Sequence, residues 1–183
     1  MKSPAPGFRS PDSKNRVGAG AFLADAAPVN YAIQGLEPAE FETLFGLDEA
    51  ALAARAIQRV QADASFGYPC RLTLEDAPAG AELLLLNYSH LDANSPYRAS
   101  GPIFVRRGVT VRRRISGELP PYLARRLLSV RAYDGADMMV AAEVVEGAAA
   151  APVFEQLLAR PEVRYLHVHF AKRGCYACRV ERA

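Results

Sequence analysis

Two of the three histidines and two of the three cysteines fall in one window, Tyr165-Leu-His167-Val-His169-Phe-Ala-Lys172-Arg173-Gly174-Cys175-Tyr-Ala-Cys178. Neutral imidazoles and thiolates are ligands for borderline metals, and a C-x₂-C spacing lets two sulfurs share one ion. In a strand, alternate residues face the same way, so His167 and His169 lie ~6.6 Å apart on one side, within reach of one ion. Leu166, Val168 and Phe170 then form the opposite, core-facing set. Gly174 permits a tight turn, and a hairpin would fold Cys175 and Cys178 back onto the histidine face. The expected result is a Cys₂His₂ tetrahedral site for Zn²⁺, made by His167, His169, Cys175 and Cys178. The same pair also reads as a thiol redox centre, because Lys172, Arg173 and Arg179 supply cations that favour thiolates. A plain structural corner, with two small buried cysteines, is the third reading.

A second group lies at the end of the apolar run Leu83–Leu86, which leads into Asn87-Tyr88-Ser89-His90. Polar residues at the end of a buried strand commonly line a pocket. Arg71, His90, Tyr97 and Arg98 are the candidate ligand-binding residues, suited to an anionic small molecule through bidentate guanidinium contacts. Cys70 and His90 form a conceivable nucleophile and base, without an evident orienting residue. Glu75 and Asp76 are adjacent, and so would face opposite ways on a strand. No glycine-rich phosphate loop, G-x-S-x-G elbow or H-E-x-x-H is present.

The elements that must position these residues are short. Residues 1–28 read as a flexible tail rich in Pro, Gly and Ser. Residues 29–183 read as a single α+β domain. It opens with a strand at Val29–Ile33 and two helices near the N-terminus, one from Pro38 to Gly46 and one capped by Asp48 and running to Ala56. Strands are expected at 57–62, 70–74, 82–88, 103–107, 109–115, 127–133, 138–145 and 163–170, with turns at Gly80, Gly108 and Gly135. A helix over 152–160 stands near the C-terminus, with Val153/Leu157 and Phe154/Leu158 as i,i+4 pairs. Such a pattern predicts a mostly antiparallel sheet, with Leu83–Leu86 at its centre.

Composition narrows the partners. A chain of 183 residues with 50% apolar and 23% charged residues is ordinary for a globular protein. A net charge of +2 does not call for nucleic acid. Eight arginines against one acid between Arg106 and Arg131 read as a solvated face or an anion-binding patch. No apolar run approaches the ~20 residues of a membrane span. No convincing signal peptide is present, which points to a cytoplasmic protein kept reduced.

Several motifs occur together and in order: Pro69-Cys70-Arg71-x-x-Leu74-Glu75-Asp76, Asn87-Tyr88-x-His90, Ser95-Pro96-Tyr97-Arg98-x-Ser100 and Gly174-Cys175-Tyr-Ala-Cys178-Arg179. From Tyr31 to the C-terminus the chain resembles domain-of-unknown-function family 1203. The resemblance implies a small cytoplasmic bacterial protein, and no catalytic residue, cofactor or activity comes with it.

Overall fold

The computed structural model describes residues 30–183. The tail expected at 1–28 and the first residue of the expected opening strand lie outside them. Among the described residues, eleven strands form two sheets. The six-stranded sheet runs β7 (Arg114–Ser116), β1 (Tyr31–Gln34), β11 (Tyr176–Arg182), β10 (Tyr165–Phe170), β8 (Leu127–Tyr133), β9 (Met139–Glu146), and every pairing in it is antiparallel. The five-stranded sheet runs β2 (Gln58–Gln61), β5 (Glu82–Leu91), β6 (Ala99–Arg106), β3 (Pro69–Cys70), β4 (Glu75–Asp76). Its β3–β6 pair is parallel and its other pairs are antiparallel. The architecture is the expected α+β one.

Helix α3 (Ala150–Ala159) covers one face of the larger sheet. Phe154, Leu157 and Leu158 pack there against Leu166, Val168 and Val180. The other face receives the smaller sheet, through Leu84, Leu86, Ile103 and Val105. Strand β10 is therefore buried on both sides along all six residues. The run Leu83–Leu86 lies in β5, between β2 and β6, as its apolar character requires.

Several local expectations are corrected. The N-terminal pair of helices reduces to two 3₁₀ turns, Pro38–Glu40 and Glu42–Gly46, and one short helix, α1 (Glu49–Ala53). The turns break at Phe41, and too few residues remain in each for an i→i+4 ladder. Asp48 caps α1 as expected, accepting from the Ala51 amide at 2.8 Å. The expected strand 70–74 stops at Cys70. Residues 71–74 form a buried turn, with Leu74 at φ 55° and its amide donating to the Cys70 carbonyl. Glu75 and Asp76 form strand β4, which pairs back on β3. The expected strand 109–115 forms only at Arg114–Ser116. Pro120 leads into a short helix, α2 (Pro121–Ala124), with Pro121 in its first turn where no amide donor is needed.

Gly147 lets the chain after β9 lie directly on α2. Its amide donates to the Arg126 carbonyl at 2.8 Å, and a Cβ there would stand 2.0 Å from the Leu123 carbonyl oxygen. Gly147→Ala should lower unfolding free energy by about 2–3 kcal/mol. Gly135→Ala, where nothing lies within 4 Å, should cost far less. Urea midpoints at unchanged m-value measure both.

Candidate functional site

The turn after β10 is built as the sequence suggests. Gly174 takes φ 70° and its amide donates to the Phe170 carbonyl at 2.8 Å. Beyond it the ladder slips. His169 pairs with Tyr176 but Val168 pairs with Cys178, so Ala177 is an extra residue in β11. Opposed residues in an antiparallel pair share a face, so this bulge puts Tyr176 on the histidine side and Cys178 with Val168. Cys175, Ala177 and Cys178 all join the core cluster under α3. The expected Cys₂His₂ set is therefore split between the two faces of one sheet. Among the described residues, no three His, Cys, Asp or Glu side chains stand ready arranged around a metal ion.

In place of the cysteines, the histidine pair meets His90. This residue shares the face of β5 that carries Leu84, Leu86 and Tyr88 and so points at the larger sheet, just where the β5–β6 register shifts between Ser89 and Leu91. Its ring centroid is 5.6 Å from that of His167 and 4.9 Å from that of His169; the latter two are 6.4 Å apart. Tyr176 stacks on His90 at 5.0 Å, and Tyr133 and Tyr165 flank His167 at 5.2 and 5.0 Å. The expected partnership of His90 with Arg71, Tyr97 and Arg98 is not formed. Arg98 is exposed and paired with Asp92, and Tyr97 lies edge-on to Tyr133. Arg71 lines a different cavity from His90. Cys70 is fully buried in the core and lines neither cavity.

Arg71 is the second unusual residue. Its guanidinium is 1% exposed and has no carboxylate partner among the described residues. Nε donates to the Tyr176 carbonyl at 2.8 Å, Nη1 to the Pro69 carbonyl, and Nη2 to Cys175 Sγ at 3.1 Å. The Phe170 ring lies 5.3 Å from the guanidinium carbon. Cys175 and Arg71 together form the floor of a cavity of roughly 440 Å³. Its walls include Phe104, Phe170 and Leu127, and Arg125, Arg126, Lys172 and Arg173 also line it. Arg126 is paired with Asp76. No Asp or Glu lines this cavity. Cys178 is sealed away from it, and burial pushes its thiol well above the ordinary range.

The remaining arginines of the 106–131 stretch do not form one patch. Arg107 joins Arg59 around Glu82, Arg112 meets Glu37, and Arg131 turns toward Ser129. No helix among the described residues is long and apolar enough to cross a membrane.

Two mostly antiparallel sheets with a histidine box between them, and a cation-lined cavity beside a thiol, define an α+β protein with an inter-sheet site. The chain belongs to the family described as Protein of unknown function (DUF1203), whose model matches residues 67–182. That span begins later than the resemblance drawn from the motifs, yet it contains all three histidines and all three cysteines. Neither the curated proteins nor the solved structures yield a match to the chain.

Burial lowers the pKa of all three histidines, to about 4 for His90, about 2 for His167 and about 3 for His169. Arg131 adds to this at His90 and His169, and the neighbouring imidazoles add to it at His167. Unfolded histidine titrates near ~6.5, so between the two values the unfolded chain binds more protons. Stability from this cluster is complete above pH ~6.5 and is lost as pH falls toward 4. Each histidine contributes up to about 1.4 kcal/mol per pH unit in that window. In chelator-treated protein, His169→Leu should reduce the acid slope of unfolding free energy by about one proton. Urea titrations at pH 6.5, 5.5 and 4.5 measure this; parallel slopes for variant and wild type would contradict it.

Proposed function

We propose that the protein binds a small amphipathic anion in the cavity above Arg71 and Cys175. The observation that carries this reading is the buried guanidinium of Arg71, a fixed cation without a carboxylate. Burying an unpaired charge is costly, and an anion in the adjoining space would offset that cost. Arg125, Lys172 and Arg173 add to the attraction at the walls, while the phenylalanine rings suit an apolar body. An arginine donating to sulfur is also an arrangement found at reactive thiols, and this favours a second role for Cys175 as the nucleophilic thiol of the site. Cys178, sealed in the core, is not its equal.

Alkylation tests both parts. Iodoacetate carries a carboxylate and iodoacetamide does not. Relative to free cysteine, Cys175 should prefer iodoacetate over iodoacetamide by roughly tenfold at low salt, and the preference should shrink as salt rises. Lys172→Glu with Arg173→Glu should remove most of it. A preference equal to that of free cysteine would overturn the anion site. Slow reaction with both reagents would overturn the reactive thiol.

A further inference from the structure

His169 is fully buried, and neither of its ring nitrogens has a hydrogen-bond partner. Nδ1 of His90 and Nδ1 of His167 are unpartnered as well. Four such atoms on three touching rings are a concentration that packing alone does not explain, because buried polar atoms in native proteins are almost always satisfied. The cost is real: each such atom loses its water and gains nothing.

We propose that His90, His167 and His169 bind one first-row divalent metal ion, such as Zn²⁺, with an open coordination position toward the smaller cavity. Three observations support this beyond the missing partners. First, the spacing is close to what an ion needs. Three imidazoles ligating at ~2.0–2.1 Å with tetrahedral angles have ring centroids about 5 Å apart. The centroid distances here are 4.9, 5.6 and 6.4 Å, so two of the three pairs stand near that spacing, and metal binding requires His167 and His169 to draw together by about an ångström or more. Second, all three rings come from strands: His90 lies on the face of β5 turned toward the larger sheet, and His167 and His169 lie on the facing side of β10. Third, a cavity of roughly 210 Å³ borders His90 and His167, with Tyr88, Glu40 and Arg112 also on its walls. Three protein ligands with solvent or substrate at a fourth position is the pattern of a catalytic rather than a structural metal. Nitrogen ligands without a thiolate suit Zn²⁺, Co²⁺, Ni²⁺ or Cu²⁺ more than Mg²⁺ or Ca²⁺. Arg179 also lines this cavity and is paired with Glu181, while Arg131 stands opposite His167 in β8 and turns toward Ser129.

This site is separate from the anion cavity and does not involve Cys175 or Cys178. Chelator-treated protein titrated with Co²⁺ should take up one ion per chain, with visible d–d bands and no sulfur-to-cobalt charge-transfer band. Equilibrium dialysis with Zn²⁺ should give the same stoichiometry. His90→Gln should weaken binding by at least roughly tenfold, since even loss of a residue supporting a ligand costs that much. Cys175→Ser with Cys178→Ser should leave binding unchanged. Circular dichroism checks that each variant is folded. If His90→Gln fails to fold, ¹⁵N shifts of the wild-type histidines decide the matter, because all three imidazoles must move together on adding Zn²⁺. No uptake by folded wild-type protein, unchanged affinity in His90→Gln, or loss of binding in the cysteine variant would each overturn the proposal.

Discussion

The guanidinium of Arg71 ties the two sheets together. Arginine keeps its proton, so this is a permanent cation placed where water is excluded. It is held by donating to the Tyr176 and Pro69 carbonyls, one from each sheet, and to Cys175 beyond the hairpin turn. The buried turn at 71–74 presents it, and the backbone of that turn is held in its own right. Leu36 donates to the Arg71 carbonyl and Arg113 to the Leu72 carbonyl. Gly35 runs so close to this turn that a Cβ would meet the Leu72 oxygen at 2.5 Å. The Arg71 side chain thus ties β3 to the start of β11, while the backbone of its turn holds the loop after β1.

Both unusual sites follow from that junction. On one side of β11, Cys175 faces the cation and the larger cavity. On the other, Tyr176 closes the histidine box by stacking on His90. The bulge at Ala177 separates the two chemistries. Without it Cys178 would share the face of Tyr176; with it, sulfur and imidazole lie on opposite sides of one sheet. The distinction matters because a metal bound by nitrogen alone, with a cavity at its open side, differs in kind from a closed sulfur–nitrogen zinc knot.

Much of the fold was legible in local pattern. The capped helix at Asp48, the helix ended before Pro161 and the hairpin glycine at 174 formed where propensity and turn chemistry put them, and the leucine strand is interior to its sheet, though second from the edge rather than at the centre. The misreadings share a cause. Residues 70–74 have the composition of a strand, but beyond Cys70 they fold as a buried turn at 71–74, because the Arg71 contacts reward that shape. Residues 109–113 resemble a strand yet lie outside the ladder. Alternation along β10 correctly sorted Leu166, Val168 and Phe170 from Tyr165, His167 and His169. It gave no hint that the second set would also be buried, since a strand covered on both faces needs a second sheet to show it.

The order of residues alone determined which groups were unusual: three histidines, three cysteines, and the arginine beside Cys70. Local geometry was enough to place His167 and His169 on one face, because a strand has a fixed period of two. Tertiary structure decided which groups meet. His90 reaches the histidine pair across 77 and 79 residues of chain, the cysteines turn away through a single inserted residue, and Arg71 finds Cys175 rather than a carboxylate. Such pairings depend on how sheets stack and where registers slip. Neither is encoded in the spacing of any one segment, which is why the site had to be seen folded.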